Sequence, residues 1–216
     1  MAFATLAELP VLGGTICLPR AGVWHADLEV DADAASTGAV TLVAGSMTLR
    51  GTAFRTGVFT ARAGVRVVGG AASLGKTAPA KAYRGVPVSI VARDIVGDVG
   101  EALAASSDAS LLTSELPAWV RLQQKASEQL GHLVDHFGVG WRVLVDGSVW
   151  LGTDTWPAGD LGTGALLREW PEQARAEYAV DDFTLLPATT LGGRQVDYVE
   201  HSVTPDGLRT RVWYVE

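Results

Sequence analysis

The chain has 216 residues, 48% of them hydrophobic and 19% charged, with a mean hydropathy of +0.20. That length and composition suit one large or two small cores, and they exclude both a disordered tail and a large multi-domain enzyme. The net charge of −7 lies wholly beyond Arg142: acidic and basic residues number 12 each up to that point, then 12 and 5 from Val143 onward. A nucleic-acid grip needs a basic surface, so this distribution speaks for a surface that repels a polyanion.

The longest uncharged run, Ala34 to Leu49, has 16 residues broken by Ser, Thr and Gly, short of the ~18 to 20 apolar residues of a membrane helix. No basic residue precedes Arg20, so the expectation is a chain without a secretory signal, made in the cytoplasm. The single cysteine, Cys17, excludes an intramolecular disulfide and a paired-thiolate zinc site, and reads as a small buried hydrophobe on a strand.

Short alternating segments between turn residues fill the first third, the pattern of a small barrel or sandwich. Trp24, Ala26, Leu28 and Val30 point one way and His25, Asp27 and Glu29 the other, a strand with one wet face. Val40 to Ala44 and Met47 to Leu49 flank Gly45-Ser46, which suits a tight hairpin. Further strands are expected over Thr52 to Thr60 and Val65 to Val68. The period then changes. Ile95, Val96, Val99 and Leu103 predict a helix over Ile95 to Ala105, with Gly97 and Gly100 each costing about 1 kcal/mol. Trp119, Leu122, Ala126, Leu130, Leu133 and Phe137 form a helical stripe, with Pro117 suited to its first turn and Gly138 to its stop. Trp141 to Val145 and Ser148 to Leu151 flank the hairpin signal Asp146-Gly147. Thr153 to Gly164 reads as a linker or loop, and Gln195 to Val203 with Leu208 to Val215 make a closing hairpin around Pro205-Asp206-Gly207. The predicted fold is mainly β with an α+β insertion: a barrel domain from both chain ends, 1–85 plus 165–216, and a small helix-hairpin domain, 86–164.

Gly70-Ala71-Ala72-Ser73-Leu74-Gly75-Lys76-Thr77 matches the phosphate-loop pattern letter for letter after an apolar strand. The chemistry needs a helix opening at Gly75-Lys76-Thr77, whose amides and dipole face the phosphates. Pro79, Gly85 and Pro87 crowd the following residues and no helical stripe exists there, so a structural glycine loop with a solvated Lys76 is the stronger reading. His132 and His136 have the spacing of two zinc ligands, but Leu133 stands where the metalloprotease pattern needs Glu. His25 and His201 stand alone on strands, and no G-x-S-x-G elbow is present. No catalytic, cofactor-binding or metal-binding residue is therefore assigned. A glycosidase would need two carboxylates across a cleft, and none of Asp146, Asp154, Asp160, Asp181 and Asp182 pair into one. The tryptophans, Trp24, Trp119, Trp150 and Trp213 among them, read as core or interface anchors, with a sugar-binding platform as the alternative.

Several stretches, taken in order, resemble the tailed-phage tail hub proteins, the family that includes baseplate hubs and the base of type VI secretion spikes. They are Gly22-Val23-Trp24-His25-Ala26-Asp27, Thr48-Leu49-Arg50-Gly51-Thr52, Arg66-Val67-Val68-Gly69-Gly70 with Tyr83-Arg84-Gly85, Asp94 to Glu101, Leu116-Pro117-Ala118-Trp119, Trp141 to Trp150, and Val199-Glu200-His201-Ser202-Val203 with Gly207-Leu208-Arg209-Thr210. The order and spacing of all of them carry the resemblance. It implies a β-barrel tube domain interrupted by an α+β domain, and a non-enzymatic ring, a homotrimer, joining the tail tube to the spike or tip. The chain is shorter than a full hub, which carries a second barrel that a partner chain would here supply. The implied partners are other tail tube, distal tail and spike proteins in the virion tail. Genome DNA would pass without specific binding, and no cofactor is expected. Channel-facing carboxylates would oppose adhesion of DNA. The candidates are Asp27 and Glu29 on the first strand and Asp197 and Glu200 on the closing ones, the last two of opposite parity unless a bulge intervenes. A nucleotide-binding protein and a carbohydrate-binding β module are the alternatives.

Overall fold

The computed structural model describes residues 3–32, 37–59, 62–204 and 207–215. Thr60, where one strand is expected to end, and the turn residues Pro205 and Asp206 lie outside them. The chain divides into two compact units, Met1–Gly69 with Thr155–Glu216, and Gly70–Asp154.

The first unit opens with β1 (Ala4–Leu6), β2 (Leu9–Pro19), β3 (His25–Val30), β4 (Gly38–Ala44), β5 (Met47–Phe59) and β6 (Arg62–Gly69). They pair antiparallel in the order β1-β4-β5-β6-β3-β2, and β2 returns to β1, closing a six-stranded barrel. Period-two alternation decides which side faces in. Ala26, Leu28 and Val30 of β3 are buried, as are Leu42 and Ala44 of β4 and Ala63, Val65 and Val67 of β6. Trp24, just before β3, is 1% exposed and is a core residue. The hairpin at Gly45-Ser46 forms as the sequence predicts, with Ala44 opposite Met47. At Gly14, φ is +138°, and a Cβ there would sit 2.3 Å from the Asp27 carbonyl oxygen, so the close crossing of β2 and β3 requires glycine.

The second unit contains β7 (Thr77–Ala78), β8 (Lys81–Pro87), α1 (Val88–Gly97), α2 (Ala109–Thr113), β9 (Glu115–Arg121), β10 (Gln124–Lys125), α3 (Ala126–Phe137), β11 (Gly140–Val143) and β12 (Val149–Gly152). Its three two-stranded sheets are β7–β10, β8–β9 and β11–β12. Val91, Ile95, Leu116, Leu130, Leu133 and Leu151 are fully buried at its core. Two helix expectations are corrected. The stripe from Trp119 is helical only from Ala126, because Trp119 pairs with Tyr83 across the β8–β9 ladder and Pro117 sits inside β9. The spacing of Leu116, Trp119 and Arg121 does not follow the period of a strand, and pairing with a partner strand overrides the local pattern. The helix expected over Ile95 to Ala105 lies instead at Val88–Gly97, directly after Pro87, with Val88, Val91, Ala92, Ile95 and Val96 buried. Its two glycines thus fall at and beyond its end, where Gly100 has φ +82°.

The chain then returns to the first unit with β13 (Ala165–Trp170), β14 (Arg175–Val180), β15 (Thr190–Leu191), β16 (Arg194–Thr204) and β17 (Gly207–Tyr214). These extend the same sheet from β2 in the order β16-β17-β14-β13, with β15 attached to β16. Both chain ends thus build one sheet, in which the N-terminal strands close the ring and the C-terminal strands continue it. The expected boundaries, 85/86 and 164/165, differ from the observed ones. Residues 77–78 and 81–87 pair with β10 and β9 and so belong with the second unit, whereas Gly159 donates its N–H to the Thr190 carbonyl and belongs with the first.

Candidate functional site

In an antiparallel ladder directly opposed residues share a face. The outward face of the sheet can therefore be read row by row. One row runs Arg168, Glu177, Arg211, Glu200, Cys17, His25 across β13, β14, β17, β16, β2 and β3. Its charges alternate, and the Arg211 guanidinium reaches Glu177 at 3.1 Å and Glu200 at 3.0 Å. The next row runs Arg66, Asp27, Thr15, Ser202, Arg209. A third, at the other flank, is Pro19, Tyr198, Trp213, Arg175, Trp170.

All four acidic candidates lie on exposed or half-buried surface, and each meets an arginine. Asp27 lies 3.7 Å from Arg66, Glu29 2.9 Å from Arg62, Asp197 2.7 Å from Arg20, and Glu200 3.0 Å from Arg211. A bulge between Val196 and Tyr198 resets the strand alternation. Val196 and Val199 are both buried as a result, while the Asp197 side chain stays 47% exposed. Every one of the four acids is thus paired, and this face is not an acidic wall. The signal that could have found the arginines is their spacing: Arg62 and Arg66 on β6 and Arg209 and Arg211 on β17 follow the same period of two as the acids.

Burial governs the titratable groups between these charges. It lowers the pKa of His25, with Arg66 adding to the effect, and it raises that of Cys17. His201, on the opposite face, is fully buried: Nδ1 lies 2.9 Å from the Thr210 hydroxyl, Nε2 lies 3.0 Å from the Leu185 carbonyl oxygen, and the ring packs 4.5 Å from that of Phe183. Desolvation lowers its pKa to about 4.

The tryptophans divide between the units. Trp24 is core in the first; Trp213 is half-buried there, edge-on to Tyr198 at 5.0 Å. In the second, Trp150 is buried, donates Nε1–H to the Ser106 carbonyl at 3.0 Å and carries Arg142 over its ring at 4.0 Å. Trp119 packs 5.4 Å from the His136 ring. Trp24, in the core, and Trp150, under Arg142, therefore offer no free ring face to a sugar. His136 also packs on Phe137, and His132 lies 2.9 Å from Gln124 Nε2. Among the described residues no group of three or more His, Cys, Asp or Glu is arranged to hold a metal ion. At the phosphate-loop match, Lys76 is exposed and Thr77 begins a strand, so no helix follows the glycines.

By sequence, no family model and no curated protein matches the chain. Comparison of folds gives a different result. The chain is similar to the 43 kDa tail protein of prophage MuSo2 from Shewanella oneidensis, at 11% identity and a TM-score of 0.72, over 98% of this chain and 96% of that one. Its fold is that of phage tail proteins. A tail protein from Neisseria meningitidis MC58 matches with TM-score 0.69 and 11% identity, over 99% of this chain and 96% of that one. The E. coli c3393 protein, a type VI secretion component with structural similarity to T4 bacteriophage tail proteins, matches with TM-score 0.67 and 12% identity, over 99% of this chain and 77% of that one. Among the described residues of this tail-protein fold, no helix is long and apolar enough to cross a membrane.

Proposed function

We propose that the chain is a non-enzymatic structural component of a phage or phage-like tail: a hub protein of the baseplate region, forming a homotrimeric ring that joins the tail tube to the tip or spike. The observation that supports this reading is likeness over nearly the whole of both chains to two tail proteins. In this reading the partners are tail tube, distal tail and spike proteins, assembly takes place in the host cytoplasm, and the product is part of the virion. The outward sheet face, with Asp27, Glu29, Asp197 and Glu200, lines the channel through which DNA is ejected. Arg20, Arg62, Arg66 and Arg211, which flank these four acids, each already hold a carboxylate that a passing phosphate would have to displace.

Negative-stain imaging of the purified chain, alone and with its neighbouring gene products, tests the ring; threefold particles are expected, and a chain that stays monomeric throughout sinks the proposal. The channel assignment is tested by replacing Asp27 and Glu29 with Lys. Each change shifts the local charge by two units and also frees Arg66 or Arg62. Assembly should survive and genome ejection should slow; normal infectivity of correctly assembled variant particles argues against a channel-facing position.

A further inference from the structure

The tail reading leaves one motif unused, the glycine-rich turn Gly70–Ser73. Two of its amides, those of Ala71 and Ser73, are occupied. The Glu101 carboxylate, in a residue 9% exposed, accepts the Ala71 N–H on Oε2 at 2.9 Å, and on Oε1 both the Ser73 N–H at 2.9 Å and the Ser73 hydroxyl at 3.0 Å. The end of α1 delivers this side chain: Gly100 turns the backbone at φ +82°, and the Glu101 N–H closes back on the Val96 carbonyl at 2.9 Å. Gly70, at φ +68°, leaves the room. A Cβ there would stand 2.5 Å from Glu101 Oε2 and 2.8 Å from the Gly147 carbonyl oxygen. Three donors converging on one anion, beside a residue that must lack a side chain, are the elements of a backbone anion nest.

We propose that the Gly70–Ser73 turn is an oxyanion-binding site that this chain closes with its own Glu101, and that it accepts a free small carboxylate once that side chain is removed. The resemblance of this stretch to a phosphate loop then has a physical basis in the convergent amides, while the native occupant is internal. The proposal is independent of the tail reading. Glu101→Ala deletes Cγ, Cδ and both carboxylate oxygens, the heavy atoms of acetate, so acetate is the matched probe.

The experiment follows the melting temperature of full-length Glu101→Ala in rising sodium acetate, with sodium chloride at matched ionic strength and acetamide as controls. The variant should melt lower than the wild type and recover along a saturating acetate curve, as mass action requires of a ligand that binds the folded state. Chloride should not restore it. Acetamide has the same shape without the charge, so its failure separates anion recognition from cavity filling. In Glu101→Ala/Gly70→Ala the response to acetate should vanish. Equal rescue by acetamide, or an acetate response no larger than that of the wild type, overturns the proposal. If Glu101→Ala does not fold in plain buffer, the same titration reads the folded fraction recovered from denaturant: acetate alone should raise it, and recovery in neither solute overturns the proposal.

Discussion

The two units differ in how deeply their ion pairs are buried. On the sheet of the first, carboxylates and guanidinium groups face outward and pair across neighbouring strands, as in Glu29 with Arg62 and Asp27 with Arg66, with side chains about half exposed. In the second, the Lys81–Asp94 and Lys125–Glu128 pairs stay at the surface, but two pairs go inside: Arg142 and Asp154 meet at 2.5 Å with side chains 18% and 11% exposed, and Arg121, 3% exposed, meets Asp98 and Gln129. A six-stranded barrel buries enough aliphatic area to leave its ion pairs in water, where each contributes little. A unit built of short helices and two-stranded ladders has fewer continuous apolar faces, and its buried pairs lock particular elements together at a desolvation cost that only intact partners offset.

The largest expected effect follows from that contrast. Asp154→Ala should destabilise the second unit by about 3 to 5 kcal/mol, because it removes the carboxylate that faces the largely buried Arg142 guanidinium over Trp150. Chemical denaturation measures the loss, and added salt should change it little; a cost below about 1 kcal/mol would make this pair equivalent to the surface ones.

His201 is the exception within the first unit, and it sharpens the comparison. Its folded-state pKa of about 4 lies below the ordinary value of about 6.5, so the unfolded chain takes up the proton first. Stability contributed by the neutral ring is complete above about pH 6.5 and declines as pH falls through that value toward 4, by about 3 kcal/mol in all. Urea midpoints measured between pH 7 and 4 should show this acid limb, and His201→Gln should flatten it. An unchanged limb in the variant would assign the acid sensitivity to other groups.

The smallest effect belongs to the sheet face. Glu29→Gln should cost less than about 1 kcal/mol at low salt and nothing measurable at about 1 M salt, where screening acts over roughly 3 Å. A loss that persists at high salt would show that the outward pairs are structural in the manner of Arg142 and Asp154.

Much of the barrel was legible in the sequence because strand alternation is local: Trp24 to Val30 places its burial correctly residue by residue, and Gly45-Ser46 marks its own turn. The second unit was harder to read, because its elements are fixed by partners far along the chain. Nothing near Trp119 signals that Tyr83 is its strand partner, and nothing near Ser73 signals Glu101. The four acidic candidates are legible as residues, but their arginines come from β6, β17 and the residue after β2, so the pairing emerges only with the register.

The double membership of β2 has a mechanical consequence. Its first residues, Leu9 and Pro10, hold β1 and so close the ring, while Gly14 to Pro19 hold β16 through six opposed pairs. The hydrogen bonds of such a ladder lie across the strand direction. A pull along β16 therefore loads all of them in shear at once, and they resist together. A pull across the sheet would peel them one pair at a time, starting at an end. Among the described strand pairings, the ring and the C-terminal strands are thus joined through β2, which is strong lengthwise and weak sideways.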